Sequence, residues 1–144
     1  MNKYLVLIAA LFVSLPAASA PDEQVVQAMT RQTSLTAEQI RGSYDACDSG
    51  VTSTMKICAS YNWMVQDVRM NKVYKQAIAK ARVTGYEKSM VKAQRAWLAY
   101  RDATCALEGE MGAGGGTAEG LYVLSCKEEV TKQQAERLEA TLHE

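Results

Sequence analysis

Apolar residues recur at steps of three and four along most of this chain, and alternating runs of strand length are nearly absent. The longest such pattern begins near Thr52 to Thr54 and carries Met55, Cys58, Ala59, Asn62, Trp63, Gln66, Met70, Val73, Tyr74 and Ala77. It predicts a helix to about Arg82, where "VTGYEKS" supplies the break. A second helix is expected from about Glu87 to Leu107, with Met90, Ala93, Gln94, Trp97, Arg101, Thr104 and Cys105 along one side. After the interruption "GAGGG", a third runs from about Ala118 to Leu142 on Leu121, Leu124, Val130, Ala135, Leu138 and Leu142. Ahead of these, "DEQVVQAMTRQ" and "TSLTAEQI" read as short amphipathic helices, the second with Ser34 or Thr36 as N-cap. The turn-rich "GSYDACDSGVTS" follows them. The pattern specifies an all-α protein, a small bundle of three main helices with one or two short N-terminal helices.

The first residues, "MNKYLVLIAALFVSLPAASAPDE", break this periodicity with one Lys, an apolar run from Leu5 to Val13, and small residues ending at Ala18, Ser19 and Ala20. That order is the signature of a cleavable secretory signal peptide. The run is about half the roughly 20 residues a spanning helix needs, so no membrane anchor is expected after cleavage. Cutting after Ser19 or after Ala20 both fit, although the second leaves Pro21 at the new N-terminus. Residues 1–20 are therefore assigned to the signal, 21–44 to an N-terminal helical extension, and 45–142 to the main helical domain. The expected location is periplasmic or secreted.

Charge changes the picture only locally. Without Lys3, fifteen basic residues face sixteen acidic ones, and a neutral exported chain gives no support to nucleic-acid binding. From Arg69 to Arg101 nine basic residues stand against Glu87 alone, while from Asp102 to Glu144 nine acids stand against Lys127, Lys132 and Arg137. Two neighbouring antiparallel helices that neutralise each other would account for the split; separate patches for anionic and cationic partners are the alternative.

All four cysteines, Cys47, Cys58, Cys105 and Cys126, lie beyond the signal. In an oxidising compartment an even number reads as two disulfides, for which three pairings exist. The short-range pairing, Cys47 with Cys58 and Cys105 with Cys126, is preferred because the second loop contains "GEMGAGGGTAEG", a flexible connection otherwise costly to hold. Each bridge contributes roughly 3 kcal/mol on a chain-entropy argument. The spacings lack the close pairs of a zinc site and the lone His143 sits near the tail, so neither metal nor cofactor is expected.

The segment "QRAWLAYRDATC" concentrates unusual chemistry. Helical spacing puts Trp97, Arg101 and Cys105 on one inward stripe, with Tyr100 flanking and Asp102 turned away by roughly 100° per residue. Trp97 is then a core residue. A buried guanidinium needs a partner, and Asp67 on the preceding helix is the candidate for Arg101. Asp102 is left to serve neighbouring backbone or a Lys.

These residues closely resemble the LprI-type domain family, formerly a domain of unknown function. The resemblance rests on the Cys47 and Cys58 spacing, then Asp67, Met70, Asn71 and Tyr74 on one helix, then Gln94, Arg95, Trp97, Arg101, Asp102 and Cys105, and finally Cys126. It covers about residues 45 to 140. Met70 stands where the family usually has Leu, and the Gly-rich segment is richer in glycine than most. The resemblance implies an exported helical domain whose named member inhibits lysozyme. Its partner would be lysozyme or another cell-wall hydrolase. Inhibition asks for a rigid scaffold that presents an edge to a cleft holding two carboxylates. The clamped segment from Glu108 to Glu119 is the expected contact region, with Glu108, Glu110, Met111 and Glu119 as candidate partner-binding residues and acids suited to a basic lysozyme.

Enzymatic readings fare poorly. Ser-His-Asp chemistry would need a better-placed His than His143, thiol chemistry an unpaired Cys, and "GAGGGT" lacks the Lys and hydroxyl of a phosphate-binding loop. Asp67, Asp102 and Glu108 could converge as a carboxylate set, but acids near an inward Arg more often form structural ion pairs. The chain is read as a non-enzyme. The alternative function is a periplasmic immunity or envelope-interaction protein directed against a cell-wall-degrading toxin.

Overall fold

The computed structural model describes residues 20–143, so the expected signal peptide and its cleavage sites up to Ser19 lie outside the described residues. Five helices follow in order: α1 Glu23–Gln32, α2 Ala37–Tyr44, α3 Thr52–Val83, α4 Glu87–Ala113 and α5 Glu119–His143, with a single 3-10 turn at Cys47–Ser49. Among the described residues there is no strand, and no helix is long and apolar enough to cross a membrane.

Local chemistry sets the ends of the short helices. Asp22 caps α1 by accepting hydrogen bonds from the Gln24 and Val25 amides, while its own amide donates to the Tyr61 hydroxyl at 2.6 Å. Of the two candidate caps for α2, Thr36 is used: its hydroxyl accepts from the Gln39 amide and the Gln39 side chain accepts from the Thr36 amide. This reciprocal box satisfies two otherwise orphaned donors. Arg41 of α2 pairs with Glu23 of α1 at 2.7 Å. Two helices too short to persist alone are thus fixed to each other and to α3.

The 32-residue α3 is the spine, and its burial departs from the single stripe expected of it. Tyr61 and Met64 are buried near its start, and Met70, Val73, Ala77 and Ala81 further on. At 100° per residue Tyr61 and Met70 lie about 180° apart, so the helix turns one face to α1 and α2 and the opposite face to α4 and α5, with α5 beside it from Lys56 to Lys80. For the same reason Met55 and Asn62, expected inside, stand at the surface, Met55 at 39 % exposure.

Two cores result. The first joins Val25, Val26, Ala28, Met29, Ile40, Tyr61 and Met64, with Tyr44 edge-on to Tyr61 at 4.9 Å between ring centres. The second joins Met70, Val73, Ala77, Ala135 and Leu138. α3 and α5 run parallel, since Lys56 lies against Gly120, Arg69 against Glu139, and Lys80 against the carbonyls of Thr141 and Leu142. The charge-neutralising contact expected between antiparallel helices is therefore made between parallel ones, through the bidentate Arg69–Glu139 pair at 2.7 and 2.9 Å. Lys80 meets the C-terminal carbonyls of α5, where the helix dipole favours a cation. Disulfides join Cys47 to Cys58 and Cys105 to Cys126, with Cα separations of 5.8 and 5.4 Å, and leave no free cysteine.

Candidate functional site

Where the two cores meet, three helices bring their polar signature residues together around Arg101. α3 contributes Trp63, Asp67 and Asn71, α4 contributes Trp97, Arg101 and Asp102, and α5 contributes Lys127. Arg101 is 7 % exposed. Its guanidinium carbon lies 5.2 Å from the centre of the Trp97 ring and 5.7 Å from that of Trp63, a cationic group held between two indoles. Its Nη1 is 3.6 Å from Asp67 Oδ1, within ion-pair range but too long for a hydrogen bond. Nη1 accordingly makes none.

Asp102 stands at the exposed edge of the cluster and serves a lysine, as expected, 3.5 Å from Lys127 Nζ; it also accepts from Arg101 Nε and lies 3.0 Å from Nη2. The flexible guanidinium arm bends along its own helix to reach a neighbour whose Cβ points elsewhere. Burial raises the Asp67 pKa above the usual aspartate range, against the opposing pull of Arg101 and of the Asn71 side chain, whose amide donates to Oδ2 at 2.9 Å. Both aspartates are thus engaged with cations and an amide, the arrangement of a structural ion-pair cluster. Glu108 is exposed further along α4. Among the described residues no three His, Cys, Asp or Glu side chains gather to hold a metal ion.

The remaining signature residues support the same junction. Gln94 is buried, with its amide donating to Met70 Sδ at 3.0 Å and its carbonyl accepting from Gln134 at 3.0 Å. Tyr74 packs half-buried on the second core. Trp97 is a correction: it is half-buried at the rim of that core rather than inside it, because its indole lines a groove between α4 and α5 together with Tyr100.

The expected contact segment is also built differently. α4 does not stop near Leu107 but continues to Ala113, so Glu108, Glu110 and Met111 sit on a helix and only Gly114 to Ala118 connect it to α5, which opens with Glu119. The glycines explain this. A Cβ at Gly109 would come within 2.5 Å of Val123 Cγ2, and one at Gly112 within 2.7 Å of the Tyr122 ring. Both therefore allow close approach of α5 and do not loosen the chain. The left-handed turn falls to Gly114 and Gly115, at φ of 56° and 83°. Clamped by Cys105–Cys126, this hairpin tip exposes Leu107, Met111 and Tyr122 at 54, 78 and 49 %. Those apolar groups stand among Glu108, Glu110 and Glu119. The sequence pattern gives no signal for Leu107 and Tyr122, because it predicts a break where α4 runs on into the glycine-rich stretch.

Comparison with known proteins agrees with this architecture. The family model described as "Lysozyme inhibitor LprI" matches residues 45–138. An uncharacterized protein of Rhizobium meliloti (strain 1021) is similar at 32% identity over 96 residues, covering 58% of this chain and 68% of the relative. No solved structure matches. With both disulfides and the Arg101 cluster inside the matched span, the chain belongs to the LprI lysozyme-inhibitor family.

Proposed function

We propose that the protein is an exported inhibitor of lysozyme and that it engages the enzyme with the α4–α5 tip. The observation that carries the reading is the tip itself: a disulfide-clamped helical turn that exposes Met111, Leu107 and Tyr122 beside three glutamates. A rigid edge loses little freedom on binding. Apolar and aromatic side chains at its centre supply contact area, and the acidic surround steers a basic enzyme towards it. Tyr122 offers a hydroxyl donor to the paired carboxylates of a glycosidase cleft. The four paired cysteines support an extracytoplasmic location. In this reading residues 45–142 form the inhibitor domain, 21–44 an extension that packs on its spine, and 1–20 the cleaved signal.

The test is digestion of purified cell walls by lysozymes of several classes with the disulfide-bonded protein present. Slowed digestion at micromolar or lower concentration is expected, and Met111→Asp should abolish it without lowering the melting temperature. Failure against every class would leave the immunity or envelope-interaction reading in its place.

A further inference from the structure

Away from the tip, α4 and α5 enclose an open groove of about 470 Å³, walled by Trp97 and Tyr100 on one side and Val130, Gln133, Gln134 and Arg137 on the other. We propose that this groove is a binding site for a carboxylate-bearing amino sugar, the chemistry of a muramic-acid unit in a cell-wall glycan. The volume falls in the range of small-ligand sites.

Each wall contributes a different part of the recognition. Tyr100 is 60 % exposed, and with the half-buried Trp97 one helical turn away it offers aromatic surface to the apolar face of a sugar ring. The two amides are already oriented. Gln134 donates its Nε2 to Gln94, and Gln133 donates its Nε2 to Glu129, at 3.0 and 2.9 Å. Each is left with a carbonyl oxygen free to accept a sugar hydroxyl. Arg137 has no carboxylate within ion-pair distance among the described residues, although α5 is rich in acids. Its guanidinium is the matching fork for a carboxylate.

A peptide strand fits less well. Both walls are helices whose backbone groups are bonded internally, so no edge is available for strand addition. The site shares no side chain with the tip, and the proposal stands whether or not the protein inhibits lysozyme.

Calorimetric titration of the full disulfide-bonded protein decides the matter, with N-acetylglucosaminyl-N-acetylmuramic acid disaccharide as probe and diacetylchitobiose as its counterpart without a carboxylate. The muramyl sugar should bind more tightly. Arg137→Gln should weaken it by about tenfold, as loss of a charge-assisted contact does, and erase the preference. Tyr100→Ala should weaken both sugars alike, with melting unchanged because the ring is exposed. The proposal is overturned if neither sugar binds, if the two bind equally to the unaltered protein, if the variants bind as it does, or if an acidic peptide binds in their stead.

Discussion

The two faces of the α3 spine solve the same packing problem by different means. Against one face, α1 of ten residues and α2 of eight bury nearly everything apolar they carry, including Val26, Met29 and Ile40 at 0 % exposure. Against the other the helices are long and the interior is thin: alanines, one Val, one Met and one Leu, with buried Gln94, Arg101 and Thr131 beside them. The first region is held by apolar mass, the second by close approach at small residues and a polar junction, and a disulfide closes each. Bulk apolar burial tolerates approximate shapes, whereas close helix approach fixes geometry. The region assigned to binding is the second, where a fixed shape matters.

The largest effect should come from the first core. Met29→Ala removes a fully buried side chain from a site walled by two short helices and should cost about 2–5 kcal/mol in denaturant unfolding. A cost below that of an exposed substitution would mean that α1 is dispensable. Gly109→Ala tests the second mode, since the added methyl meets the short Val123 side chain; the expected loss is about 1–3 kcal/mol. Gly112→Ala should cost less, because the half-exposed Tyr122 ring can swing outwards. If the two glycines behaved alike, close packing would not be the reason for them.

Thr131 sharpens the contrast further. Its hydroxyl is buried at 0 % exposure with no hydrogen-bond partner. Thr131→Val keeps the shape and removes that unsatisfied group, so it should raise stability by about 1 kcal/mol; a loss of stability would point to a partner for the hydroxyl.

The smallest effects are those of pH, and they carry opposite signs. The hydrogen-bonded Arg69 holds Glu139 below the usual glutamate range, so this pair stabilises the fold above the unfolded pKa and its contribution is lost as pH falls through the folded one. Asp67 is raised by burial, so its ionised form opposes folding at neutral pH and that cost is relieved as pH falls through its folded pKa. Between neutral pH and pH 4 the native protein should therefore gain stability relative to Asp67→Asn and lose it relative to Glu139→Gln, as measured by thermal melts across that range. Curves of the same slope would contradict the assigned environments.

Much of the second region was legible in the sequence. The preferred pairing of Cys105 with Cys126 is the one observed, although the connection taken as flexible is helical as far as Ala113, and the inward Arg101 has Asp67 beside it, as a guanidinium on a half-cystine stripe requires. The misses have one origin: helical periodicity assigns a face but not which neighbour the face meets. The pattern on α3 misses Tyr61 and Met64 because that helix has partners on opposite faces. The pattern on α4 puts Trp97 too deep because the groove that receives its indole is a tertiary feature. The run of glycines suggests looseness, whereas Gly109 and Gly112 remove side chains where a second helix must approach.

The account rests most heavily on the tip as the surface that meets a lysozyme. Methyl-resolved NMR of the methionines with lysozyme added tests this directly, because Met111 stands on the tip while Met29, Met64 and Met70 are buried in the two cores. The account predicts that the Met111 methyl shifts or broadens and that the three buried methyls hold their positions. Binding that leaves Met111 unmoved would contradict it.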